Sequence, residues 1–121
     1  MTRVRALFAV LFLLSTVALS ACSAPEPLAV GPDTVVVDVR TPEEFGSGHL
    51  EGAVNVDLNS GAFEQEISAL DPAGDYVVYC RSGNRSSQAV TIMEGMGFEH
   101  VSDAGGLQAA SEATGLAVVT G

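Results

Sequence analysis

Thr34 to Val39, TVVVDV, sets four valines in six residues with no alternation between apolar and polar positions. A strand with one face in water shows that alternation, whereas a continuous β-branched run is the pattern of a strand buried on both faces. Such a strand needs a covering layer on each side of its sheet. A second apolar run, Asp75 to Tyr79, follows the turn signal PAGD and stops on Cys80. Gly52 to Val56 (GAVNV) reads as a brief strand between these two, and His100 to Ser102 as a fourth.

The segments between the strands carry helix signals. Thr41 is placed as an N-cap, with Pro42 at the first helical position, Glu43 and Glu44 in the first turn, and Gly46 and Gly48 keeping the helix short. Gly61 to Leu70 puts Phe63, Ile67 and Leu70 at helical spacing before Asp71 and Pro72 end it. From Arg85 to Met96, the residues Ala89, Ile92, Met93 and Met96 mark one helical face, with Gly97 as its C-cap. Gly106 to Ala113 reads as a last helix. Alternating strands and helices predict a small α/β domain, a central parallel sheet with helices on both faces. Ligands of such sheets gather beyond the carboxyl ends of the strands, and Cys80 stands at one of those ends.

The first 21 residues read as an address: Arg3 and Arg5 precede the apolar run Ala6 to Leu14, which softens into small residues. That run is short for a membrane span. Leu19 to Cys22, LSAC, resembles the lipobox of bacterial lipoproteins, with ordinary cleavage after Ser20 as the alternative. The resemblance implies residues 1–21 as a lipoprotein signal peptide and Cys22 as the lipid attachment site; Ser23 to Pro27 (SAPEP), whose two prolines resist helix and sheet, reads as a tether, which sets 22–33 apart from a domain over 34–121. The resemblance also implies export and a lipid anchor on the extracytoplasmic face of a bacterial membrane, an expectation that membrane fractionation of a Cys22→Ser variant tests. About 100 residues then remain, enough for one core and one site, in what we expect to be a monomer.

Charge narrows the function further. Setting Arg3 and Arg5 aside takes the formal net charge from -10 to -12, with Arg40, Arg81 and Arg85 as the remaining cations and no lysine. A nucleic-acid partner is excluded on that balance. Two of the three arginines nevertheless lie within five residues of Cys80. With Cys22 lipidated, Cys80 has no partner in the chain, which leaves a reactive thiol, an intermolecular pairing or an inert buried residue.

The stretch Cys80 to Ser86, CRSGNRS, favours the reactive thiol. A loop of small residues between a strand end and a helix start can turn successive backbone N–H groups toward one point, where the helix dipole adds positive potential. Gly83 gives the backbone its freedom, and Ser82, Asn84 and Ser86 leave the hollow open. A free thiol titrates near pH 8.5, and this setting lowers it. The same donors would hold an anionic substrate.

CRSGNRS closely resembles the active-site loop of single-domain rhodaneses, the thiosulfate sulfurtransferases. Asp38 to Arg40 (DVR), Pro42 to Phe45 (PEEF), Gly48 to Ala53 (GHLEGA), the strand VVYC, and Gly105 with Gly106 fall in that family's order. The resemblance implies that Cys80 is the nucleophile that takes a sulfane sulfur from a donor such as thiosulfate as a persulfide. A thiol or cyanide acceptor would then remove it, and no cofactor is implied. Arg81, Ser82, Gly83, Asn84, Arg85 and Ser86 are the expected substrate-binding residues. Four residues separate Cys80 from Arg85, one fewer than in related phosphatases and arsenate reductases, which favours sulfur over phosphate or arsenate chemistry. A binding or redox-sensing module without turnover is the alternative from another class.

Asp38, Arg40 and His49 are expected to support the site rather than react: an acid and an arginine at a strand end pair to hold loops, and His49 bonds locally in its turn. Glu43, Glu44, Glu64 and Glu66 read as solvated helix faces, and Met93 and Met96 as core. One thiol and two separated histidines predict no metal site.

Overall fold

The computed structural model describes residues 25–121, so the expected signal peptide and the expected lipid attachment site Cys22 lie outside the described residues. Ten elements follow in order: β1 Val35–Asp38, α1 Pro42–Ser47, β2 His49–Leu50, β3 Val54–Asn55, α2 Phe63–Ile67, β4 Asp75–Cys80, α3 Asn84–Gly95, β5 His100–Gly106, α4 Leu107–Thr114 and β6 Val118–Val119. Four strands form a parallel sheet in the order β3-β1-β4-β5. The two valine-rich runs are its neighbouring central strands, Val36 beside Val77 and Val37 beside Val78.

Strand β4 shows why a continuous apolar run is needed. Tyr76, Val78 and Cys80 face a cluster completed by Phe63, Ile67, Ala89 and Met93 from α2 and α3. Val77 and Tyr79 face the opposite cluster with Leu50, Ala104 and the α4 residue Ala110. Successive side chains of one strand thus enter two cores, as the pleat requires. Each such buried aliphatic side chain contributes about 1.5–3 kcal/mol relative to exposure.

Several boundaries differ from the sequence expectation. The brief strand is two residues long, because β3 is an edge strand with Val54 44% exposed. The strand expected at His100 to Ser102 runs on to Gly106 as β5, past an irregularity in its pairing with β4 between Val78 and Cys80. A separate antiparallel pair, His49 with Val119 and Leu50 with Val118, carries no sequence signal. Two-residue strands are too short to show a period.

Leu28 and Val30, assigned to the tether by composition, pack against the Tyr79 side of the core, and the Leu28 amide donates to the Ala113 carbonyl at 2.9 Å. Partial burial of two apolar side chains and a satisfied amide explain why this stretch packs with the folded unit.

Candidate active site

The irregularity near the end of β4 delivers Cys80 into the loop that starts α3. Cys80 has no exposed surface. Its Sγ accepts from the Gly83 amide at 2.9 Å and lies 3.4 Å from Ser86 Oγ. Gly83 stands immediately before α3 with φ 96°, a left-handed conformation that glycine adopts without the usual side-chain penalty, and this turns its amide onto the sulfur. Burial pushes the Cys80 thiol up, but the Ser86 hydroxyl and the backbone N–H groups of Ser86, Gly83 and Ser82 outweigh it, and the thiol is lowered from its ordinary value.

Ser86, also fully buried, gives this loop a movable proton. With Cys80 neutral, the thiol donates to Ser86 Oγ, whose own hydroxyl donates to the Gly83 carbonyl at 3.1 Å. Ionisation removes the thiol proton, and the Ser86 hydroxyl can rotate to donate to the sulfur. The Gly83 carbonyl is not orphaned by that rotation, because it also accepts from the Ser87 amide at 3.2 Å.

The floor of the loop admits no side chain at one point. A Cβ on Gly106 would lie 2.5 Å from the Arg81 carbonyl oxygen and 3.2 Å from its carbon. Gly106 is paired with Cys80 in the sheet, so β5 brings bare backbone against the loop and holds its height.

Around this loop the expected supporting residues separate by role. Asp38 and Arg40 are buried together: Nη2 donates to Oδ2 at 2.6 Å, Nε to Oδ1 at 3.0 Å, and Nη2 also to the Gly48 carbonyl at 2.6 Å. Burial acts to lower the Arg40 guanidinium, yet the hydrogen bonds and charge of Asp38 raise it overall, so the guanidinium stays charged against its partner. Asn55 donates to the Asp38 and Arg40 carbonyls, which ties β3 to the same strand end. His49 stacks on Phe45 with ring centroids 3.8 Å apart, and its Nδ1 lies 2.9 Å from the Phe45 carbonyl. A carbonyl only accepts, so Nδ1 carries the proton. Burial pushes the Tyr79 phenol up; its oxygen accepts from the Leu50 amide at 3.0 Å.

Glu44 corrects a sequence expectation. It is not a solvated helix-face residue: Arg85 Nη1 donates to Oε1 at 2.7 Å and Nη2 to Oε2 at 2.9 Å, with the two side chains 25% and 23% exposed. The Arg85 hydrogen bond, opposed by burial and aided by charge and by Thr41, holds the Glu44 carboxyl down at about 2. Thr41, expected as the N-cap, does cap α1 by accepting from the Glu44 amide at 3.2 Å. The link of Glu44 to Arg85, 41 positions away, had no local signature.

A cleft of about 370 Å³ beside the loop is lined by Arg40, Glu44, Ser47, Arg81 and Leu107. Arg81 is exposed and forms no ion pair among the described residues, while Ser82 is exposed on the rim and Asn84 caps nothing beyond a bond from Gln88. Among the described residues, no group of three or more His, Cys, Asp or Glu side chains is placed to hold a metal ion. The arrangement provides a lowered thiol under a ring of backbone donors, with one unpaired cation at its mouth.

The profile of the rhodanese-like domain matches residues 26–113. The chain is 41% identical over 73 residues to the thiosulfate sulfurtransferase PspE of Escherichia coli (strain K12), covering 60% of this chain and 69% of that protein. It is 40% identical over 90 residues to the chloroplastic thiosulfate sulfurtransferase 16 of Arabidopsis thaliana, covering 66% of this chain and 75% of the relative. A solved structure of a rhodanese with anions from E. coli superposes with a TM-score of 0.61 at 35% identity, covering 73% of this chain and 99% of that one.

Proposed function

The chain belongs to the rhodanese-like domain family, and from that membership we propose that it is a sulfurtransferase which carries a sulfane sulfur on Cys80 from an anionic donor, such as thiosulfate, to a thiol or cyanide. The observation that carries this reading is the contact of Cys80 Sγ with the Gly83 amide and the Ser86 hydroxyl in a loop at the carboxyl edge of the sheet. Those donors favour the thiolate, which is the attacking form.

In the first half-reaction the thiolate attacks the outer sulfur of thiosulfate. A bond forms between Cys80 Sγ and that sulfur, the sulfur–sulfur bond of thiosulfate breaks, and its electron pair leaves with sulfite. The persulfide keeps one negative charge on its terminal sulfur, and the backbone N–H groups of Ser82, Gly83 and Ser86, which favour the thiolate, are the donors available to that charge. In the second half-reaction cyanide attacks the terminal sulfur, thiocyanate departs, and the electron pair of the broken bond returns to Cys80 as thiolate. No proton and no outside oxidant enters either step. Because Cys80 has no exposed surface, the loop must open for the donor to reach Sγ.

Arg85 supports the site with its guanidinium already engaged by Glu44, and Arg81 is the cation open to the donor. Thiocyanate formation from thiosulfate and cyanide tests the reading: wild-type protein should turn over and Cys80→Ser should fall to the uncatalysed rate. A Cys80→Ser variant that retains activity would refute it.

A further inference from the structure

The charges around Cys80 cancel in pairs. Asp38 neutralises Arg40 behind the loop, and Glu44 grips both terminal nitrogens of Arg85 at 2.7 and 2.9 Å. Arg85 is close enough to Cys80 and Asp38 for their charges to act on it, so its neutralisation is felt at the sulfur. Among the described residues this leaves Arg81 as the one cation at the cleft without a carboxylate partner. The cleft wall that holds Arg81 also holds Glu44, and the rest of the described surface is strongly acidic.

From this charge pattern we infer that Glu44 is a specificity-determining residue: by cancelling Arg85 it shifts the relative preference of the site toward sulfur donors with one negative charge, such as thiosulfonates, while doubly charged thiosulfate is still turned over. The inference rests on the sulfurtransferase reading and names the donor class for it. A thiosulfonate gives the same chemistry with the charges conserved. The Cys80 thiolate takes the outer sulfur, the sulfur–sulfur bond breaks, and a sulfinate leaves with the electron pair. One fewer negative charge must then be accommodated beside Glu44 from donor binding until the leaving group departs.

Glu44→Gln removes the charge while keeping side-chain length, the Thr41 cap and a hydrogen-bonding oxygen for Arg85. Glu43→Gln is the control, since Glu43 is an exposed acid on the same turn of α1 with no bond to Arg85. The experiment measures kcat/KM for thiosulfate and for benzenethiosulfonate, with cyanide as acceptor, and reads their ratio. The extra charge of thiosulfate responds to one lost carboxylate at close range, so Glu44→Gln should raise the ratio roughly three- to tenfold, with less than about twofold for Glu43→Gln. Glu44→Asp, which keeps the charge but withdraws it from Arg85, should lie between wild type and Glu44→Gln, and it carries the comparison if the Gln variant does not fold. An unchanged ratio in the Glu44 variants, or an equal change in Glu43→Gln, would overturn the role of Glu44 while leaving sulfur transfer intact. Failure of both donors with the wild-type protein would overturn the underlying sulfurtransferase reading instead.

Discussion

At the scale of single residues, the chemistry depends on how few atoms surround one sulfur. The Gly83 amide is fixed by backbone conformation, whereas the Ser86 hydroxyl reaches Sγ by rotation. Removing that hydroxyl should leave the thiolate short of one donor. Ser86→Ala should therefore move the midpoint of the pH profile for Cys80 alkylation upward by about one pH unit, with a thermal midpoint close to wild type; a profile that stays in place would mean that backbone donors alone set the thiol. This much was legible in CRSGNRS, because a strand end, a glycine and a helix start within seven residues specify their own geometry. The fate of Arg85 was not legible. Its partner arrives from another helix, and nothing in the loop distinguishes an arginine waiting for an anion from one already bound to a carboxylate.

At the scale of elements, the Arg85–Glu44 pair joins the first turn of α3 to the first turn of α1, and so fixes the two walls of the cleft relative to each other. The Glu44 carboxyl is held at about 2, below its ordinary value of 4.5. A group whose folded value is depressed contributes its full stability above the ordinary value and loses it as pH falls toward the folded one. Unfolding free energy should therefore decline between about pH 5 and pH 2, with about 1–2 kcal/mol of that decline traceable to this partly exposed pair. Urea titrations of wild type and Glu44→Gln across that range should converge at the acid end, and parallel curves would contradict the linkage. The parallel sheet itself could be read from the sequence, since TVVVDV and DYVVYC admit few environments other than a doubly covered interior. The β2–β6 pair could not, as Leu50 and Val118 find each other through tertiary closure, with Val118 left 49% exposed.

At the scale of the whole molecule, 15 acidic residues surround a site meant for anions. That field repels the donor at long range, and only the local donors and Arg81 reverse it near the sulfur. Salt screens the long-range repulsion more than the short contacts. Raising ionic strength from about 0.01 M to about 0.15 M should then increase kcat/KM for thiosulfate severalfold, and a fall would mean that attraction to arginine dominates the approach. Composition showed the acidity but not its distribution; the pairing of Asp38 with Arg40 and of Glu44 with Arg85 had to be seen in three dimensions. All of these effects bear on one event, the arrival of a sulfur atom on Cys80. Intact-mass and peptide mass spectrometry of the reduced, folded protein after incubation with thiosulfate tests that event directly. Gain of one sulfur atom, confined to the peptide containing Cys80 and reversed by cyanide, is the predicted result. Folded protein that gains no sulfur from thiosulfate or benzenethiosulfonate, or gains it elsewhere, would contradict it.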